Sequence, residues 1–157
     1  MPVHDIRELL QHHEFFRGLD SEAVEFIAGC GANVVFSADE YLFREGESAD
    51  YFFLVRTGRV ALEVYGAERG PMMLDTVGEG GIVGASWLFP PYRWEFDARA
   101  TSPVHAVRLD AVCLRDKCDR DPSLGYELMK RLAQVWRTRM QSARMRLLDL
   151  YGHTRAG

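Results

Sequence analysis

Apolar and polar positions divide the chain into three stretches with different periods. In the first, Ile6, Leu9 and Leu10 and then Phe15, Phe16 and Leu19 cluster at helical spacing, and a second apolar cluster follows in "DSEAVEFIAGCG". This predicts short helices, with Asp20 or Ser21 as an N-cap and Gly29 and Gly31 as a brake. From Asn33 to Leu109 the period falls to two, as in Phe52 and Leu54 or Val60, Leu62 and Val64. Glycines at 46, 58, 66, 70 and 78 fall between the apolar runs. Many short strands with regular glycine turns predict an antiparallel sandwich or barrel, with a jelly roll favoured. From Asp110 onward the pattern is helical again, with Pro122 near a helix start and Gly152 as a stop. The expected fold is mainly β with flanking helices: one domain, with N-terminal helices over 1–32, a jelly roll over 33–110 and C-terminal helices over 111–151.

The last helix carries a seam. Met129, Leu132, Trp136, Met140, Ala143, Leu147 and Leu150 follow one another in steps of three and four, close to a heptad. A helix from Ser123 to Tyr151 would be about 43 Å long at ~1.5 Å per residue, longer than a barrel of this size can cover. The seam is therefore expected to meet another chain and form a homodimer, with Met129, Leu132, Trp136, Met140, Ala143 and Leu147 at the interface. The alternative is a helix folded back on its own barrel.

A length of 157 residues fits one domain with a sizeable core. No apolar run approaches the roughly 20 residues of a membrane span. The N-terminus "MPVHDIRELL" has no signal-peptide pattern, so the expected location is the cytoplasm. Cys30, Cys113 and Cys118 form no CxxC pair, which argues for reduced thiols rather than a disulfide framework. The net charge of −4 argues against a general nucleic-acid binder. Residues 115–157 hold ten Lys/Arg against five Asp/Glu, a bias read as a solvated helix face.

Candidate reactive groups are sparse. His12 and His13 are adjacent, so on a helix they point apart and make no metal pair. Metal enzymes built on jelly rolls need clustered His and Glu ligands. The β region offers His105, on a strand face shared with Val107 and Leu109, where a core histidine is expected. Three cysteines are too few for an iron–sulfur cluster held by four. No nucleophile–base pair stands in a recognisable catalytic context, so no enzyme activity, metal or cofactor is expected.

The stretch "GEGGIVGASWLFPPYRWEFDARA", Gly78 to Ala100, begins as a glycine-rich turn able to point backbone N–H groups at an anion. With "FFRGL" at 15–19 and "YLFREGESADYFFLVRTGRVAL" at 41–62, it resembles the cyclic-nucleotide-binding domain of the catabolite-activator (Crp/Fnr) superfamily of bacterial regulators. The likeness covers roughly residues 10 to 150. Gly46 and Gly58 stand where that family needs glycine turns, and Asp39 replaces a common family glycine.

The resemblance implies a ligand cradled by Val83, Gly84, Ala85, Ser86 and Trp87, and often an attached helix-turn-helix. Five residues follow Gly152, so no DNA binding by this chain is expected. In the family a glutamate after the last glycine holds the ribose, and an arginine followed by serine or threonine clamps the phosphate. Here Ala85 stands at the glutamate position. The alignment puts Trp94 and Glu95 at the clamp, with Arg93 one residue away. By strand parity Trp94, Phe96, Ala98 and Ala100 face the barrel, so only a bulge would turn Arg93 inward. Loss of the arginine fork and the carboxylate would weaken nucleotide binding on the order of 10²- to 10⁴-fold. Trp87, Phe89, Tyr92, Trp94 and Phe96 would fill the mouth, taking an aromatic or apolar ligand or plugging it. Two functions are expected to compete: a small-molecule sensor domain in signalling, and a ligand-free dimerisation module that docks on a protein partner.

Overall fold

The computed structural model describes residues 3–66, 68 and 70–156, with side chains described between Ile6 and Gly152. Helix α1 (Val3–His12) is followed by turns and by α2 (Ser21–Gly29). Asp20 is the α2 N-cap, its carboxylate accepting from the Ala23 N–H at 2.8 Å. Eight strands follow: β1 (Gly31–Phe36), β2 (Tyr41–Phe43), β3 (Tyr51–Thr57), β4 (Val60–Gly66), β5 (Gly70–Val77), β6 (Ile82–Val83), β7 (Asp97–Ala100) and β8 (Val104–Asp110). They form two four-stranded sheets, β1-β8-β3-β6 and β2-β7-β4-β5, with every pairing antiparallel. This is the jelly roll that the period-two pattern predicts, and β1 begins two residues before the expected Asn33. Asp110 ends β8 and caps α3 (Ala111–Arg120), accepting from the N–H groups of Val112 and Cys113.

Burial explains where the alternation is weak. In β3, Phe52, Phe53, Leu54 and Val55 are all buried. One face looks into the barrel and the other lies under helices, so both must be apolar. Helical cover reaches only one end of this sheet. At that end, Ile6 of α1 and Leu109 both lie close to Gly31. At the other end His105 is exposed, opposite the exposed Val35 and beside a register shift between Val55 and Thr57. The expectation of a core His105 is thereby corrected: it shares parity with Val107 and Leu109 but lies beyond the helices that cover them.

Two backbone positions show why particular residues stand at the turns. Gly58 has φ +95°, and a Cβ there would strike the Pro103 carbonyl. Asp39 has φ +74°, in the left-handed region that Asp tolerates better than most residues, and its carboxylate pairs with Arg99 at 2.9 Å.

The chain ends in α4 (Pro122–Ala156), 35 residues and about 52 Å long. Gly152 does not stop it. A glycine inside a helix costs about 1 kcal/mol relative to alanine, which weakens a helix without ending it. Leu124, Leu128 and Leu132 repeat every four residues and are buried in the protomer core. The cysteines are free; burial, ahead of nearby charges or thiols, pushes the Cys30 and Cys118 thiols up to about 11.

Candidate functional site

The glycine-rich segment folds as a tight passage between β5 and the barrel interior. Gly80 N–H donates to Val55 O at 2.8 Å, and Val55 N–H donates to Gly81 O at 2.9 Å, so the loop is tied to β3. β6 pairs with β3, Gly84 turns at φ +93°, and one 3₁₀ turn follows at Ser86–Leu88. Val83, Gly84 and Ala85 are buried and Ser86 is half-buried. Among the described residues, no group accepts a hydrogen bond from the Ala85 or Ser86 N–H. The two backbone donors that the family likeness assigns to a cradle thus have no partner among the described residues.

Trp94 closes that cradle. It is 4% exposed and stacks on Phe43, ring centroids 3.9 Å apart and planes inclined by 13°. Its ring atoms lie 2.7 Å from where a Cβ on Gly84 would be, so only glycine allows this approach. Backbone bonds fix the ring's entry: Trp94 N–H donates to Glu47 O at 3.0 Å, and Gly46 N–H donates to Trp94 O at 2.9 Å. Arg93 and Glu95 point the other way and are exposed. Arg93 donates to Gly46 O at 2.8 Å and forms a bridge with Ser48, on the side away from the cradle.

The expected aromatic cluster at the mouth is not formed. Its five rings go to four places. Trp87 is fully buried and stacks on Phe52 at 5.0 Å, its indole N–H without a partner among the described residues. Phe89 meets Trp136 of α4 at 4.5 Å, and Tyr92 lies under the Arg115 guanidinium at 4.4 Å. Only Trp94 and Phe96 gather around Phe43. Between Phe89 and Trp94 the backbone leaves extended geometry at Tyr92, whose φ of +57° is left-handed, so period-two counting does not carry across it.

Arg115 was not singled out in the sequence. From α3 it donates to Trp87 O at 2.7 Å and to Ala49 O at 3.0 Å, holding the 3₁₀ turn against the β2–β3 loop. A lone arginine within a charged helical stretch carries no local signal of such a role. Glu63 and Asp97 were also missed. They are buried carboxylates in cross-strand register. Glu63 accepts two bonds from Arg99, at 2.9 and 3.2 Å. Asp97 accepts from Glu45 N–H at 2.7 Å and lies 3.4 Å from Arg44. Each carboxylate is neutralised, so the pair is structural.

A cavity of about 540 Å³ lies outside the cradle, between the turn after α1, the Asp75–Ile82 segment and α4. His13 latches the turn to the loop. Its Nδ1 accepts from Phe15 N–H at 3.1 Å and its Nε2 faces Gly80 O at 2.6 Å. Only the neutral ring with hydrogen on Nε2 satisfies both. Burial lowers its pKa below 6.5, outweighing the Gly80 bond and the Glu14 charge, which raise it. Asp75, Glu79, Arg131 and Arg139 also border this cavity. The contribution of His13 to stability is full above the unfolded value of 6.5 and is lost as pH falls through the lower folded value. NMR titration of the ring is expected to give a midpoint below 6.5, and a midpoint at or above 6.5 would contradict the latch.

Arg131 donates to Phe15 O and Arg17 O at 2.6 and 2.7 Å. Arg139 donates to Ile82 O, and its Nη1 is buried without a partner among the described residues. Burial pulls the Arg139 guanidinium down to about 10, with Asp75 opposing. Beyond Arg139 the helix has little cover: Met140 is 73% exposed, Leu147 53% and Leu150 63%. Met129, at 36%, lies on the same stripe. Ala143 is exposed too. Leu132 leaves the expected interface because it is buried in its own protomer, and Trp136 is half-buried beside Phe89.

The jelly roll, the glycine-bounded cradle and the long terminal helix define a ligand-binding type of regulatory fold. Residues 33–121 match the family described as Cyclic nucleotide-binding domain, and the chain belongs to that family. It is 24% identical over 143 residues to the CRP-like cAMP-activated global transcriptional regulator of Mycobacterium tuberculosis, covering 91% of this chain and 62% of that regulator. The chain thus spans less than two thirds of that relative. Among solved structures it is similar to a cyclic nucleotide-binding protein from Geobacter metallireducens GS-15, with 30% identity and a TM-score of 0.78 over 85% of this chain and 97% of the other. The sensor domain of the transcriptional regulator DNR from Pseudomonas aeruginosa shares the fold, with a TM-score of 0.72 at 19% identity over 88% and 93% of the two chains. No helix among the described residues is long and apolar enough to cross a membrane.

Proposed function

We propose that this chain is a bacterial regulatory domain of the cyclic nucleotide-binding family whose cradle is filled by its own Trp94. It works in the cytoplasm as a homodimer through the distal part of α4 and docks on a protein partner. The observation that carries the reading is the Trp94 ring stacked on Phe43 and pressed against Gly84. A cyclic nucleotide would have to displace a buried indole. It would then find Ala85 where the ribose needs an acceptor, and Arg93 turned outward. The unused Ala85 and Ser86 N–H groups favour a second reading, in which a different small ligand displaces Trp94 to reach them. Calorimetry with cyclic AMP and cyclic GMP at neutral pH is expected to show no binding at micromolar concentrations. A low-micromolar dissociation constant for either would overturn the closed cradle.

A further inference from the structure

We infer that the cavity between α4, the His13 turn and the Asp75–Ile82 segment is a binding site for a small molecule bearing a compact oxyanion, a carboxylate or a phosphate, with Arg139 as its anchor. The inference builds on the regulatory reading but not on the state of the cradle. A volume of about 540 Å³ is that of a small-molecule site. Two arginines, Arg131 and Arg139, stand on its α4 wall, and Arg131 lies 3.8 Å from Glu127. Arg139 holds a positive charge in a poorly solvated place against a single neutral carbonyl, that of Ile82, with Nη1 unpaired. Arg131 Nε on the same wall is also buried and unpaired among the described residues. A desolvated cation with no carboxylate in hydrogen-bond contact is costly, and an anion relieves that cost.

The acids bordering the cavity leave this role open. Glu14 and Glu79 are exposed at the rim. Asp75 lies close enough to influence Arg139, yet one of its oxygens accepts from Thr76 N–H at 2.8 Å, and no ion pair joins it to Arg139 among the described residues. An entering oxyanion exchanges the Ile82 carbonyl for a charge-assisted hydrogen bond, which is roughly twice as strong as a neutral one. That exchange releases α4 from β6 one residue before Met140, where the uncovered apolar stripe resumes. Ligand capture is therefore coupled to the part of α4 proposed to meet a second copy.

The full chain, labelled with ¹⁵N, is titrated with inorganic phosphate and separately with succinate, at ionic strength held constant with chloride. Saturable shifts of the Gly78–Ile82 amides and the Arg139 side chain are expected with at least one of the two. Arg139→Gln should weaken that binding roughly 10- to 100-fold. Thr138→Glu, a change at an exposed position on the cavity wall, should abolish it by repulsion and serves if the first variant does not fold. Shifts that do not saturate, or affinity unchanged in both variants, overturn the inference. A cyclic AMP arm keeps the two proposals apart. Shifts at Gly84–Ser86 would defeat the closed cradle and leave the cavity standing. Silence with all three probes would defeat the cavity alone.

Discussion

Replacing Trp94 with alanine is expected to destabilise the protein by about 3–5 kcal/mol, the range for deleting a large buried aromatic. In a chain of this length that lowers the thermal midpoint by roughly 6–20 °C. The ring is 4% exposed, is stacked on Phe43 at 3.9 Å and has its backbone pinned to Gly46 and Glu47, so the site cannot collapse freely. A double-mutant cycle isolates the contact that closes the cradle. In the native background, Gly84→Ala carries two penalties: a Cβ 2.7 Å from the indole and an alanine at φ +93°. With Trp94 already alanine the first penalty disappears. The remaining one should be about 1–2 kcal/mol, the cost of left-handed backbone for a residue with a Cβ. Chemical denaturation of the four proteins reads the coupling. If the two changes simply add, the indole does not seal Gly84.

Met140→Glu combined with Leu147→Glu is expected to halve the mass measured by light scattering, with the thermal midpoint of the protomer nearly unchanged. Both side chains are more than half exposed and lie two turns apart on the same stripe, on a part of α4 that extends past the barrel. A carboxylate at each position places like charges in apposition across any pairing of two copies. Trp136→Glu is the informative contrast. Trp136 packs on Phe89 within the same chain, so its replacement should destabilise the protomer as well as the dimer. An unchanged mass in the Met140/Leu147 double variant would rule out the stripe as the interface.

The sequence made much of the architecture legible because the information was local. Asp20 caps a helix through a bond three residues away, and Pro122 opens a helix because its missing N–H is not needed there. Alternation along Val60–Val64 depends on the strand's own pleat. Where two faces are covered, as in Phe52–Val55, the alternation vanishes and only the run of apolar residues marks the strand. Gly152 misled because a glycine stops a helix only if the chain then turns, and a turn needs partners in space that a local pattern does not show.

By itself the sequence determined a jelly roll flanked by helices, a glycine-bounded cradle without its usual side-chain contacts, and a tryptophan at the clamp position. The jelly roll follows from residue type and period along the chain, whereas the cradle and its clamp position are what the resemblance to the cyclic-nucleotide-binding family implies. Only the tertiary structure decided that the aromatics after Trp87 disperse among the barrel, α3 and α4, that Arg115 holds the cradle turn from another helix, and that Leu132 belongs to the protomer core. It alone brought Arg139 to Ile82, 57 positions apart in sequence, beside a cavity. The physical reason is range. Caps, turns and strand parity act over one to four residues, whereas the burial of a charge or the destination of an aromatic ring is set by elements that meet only when the chain has closed on itself.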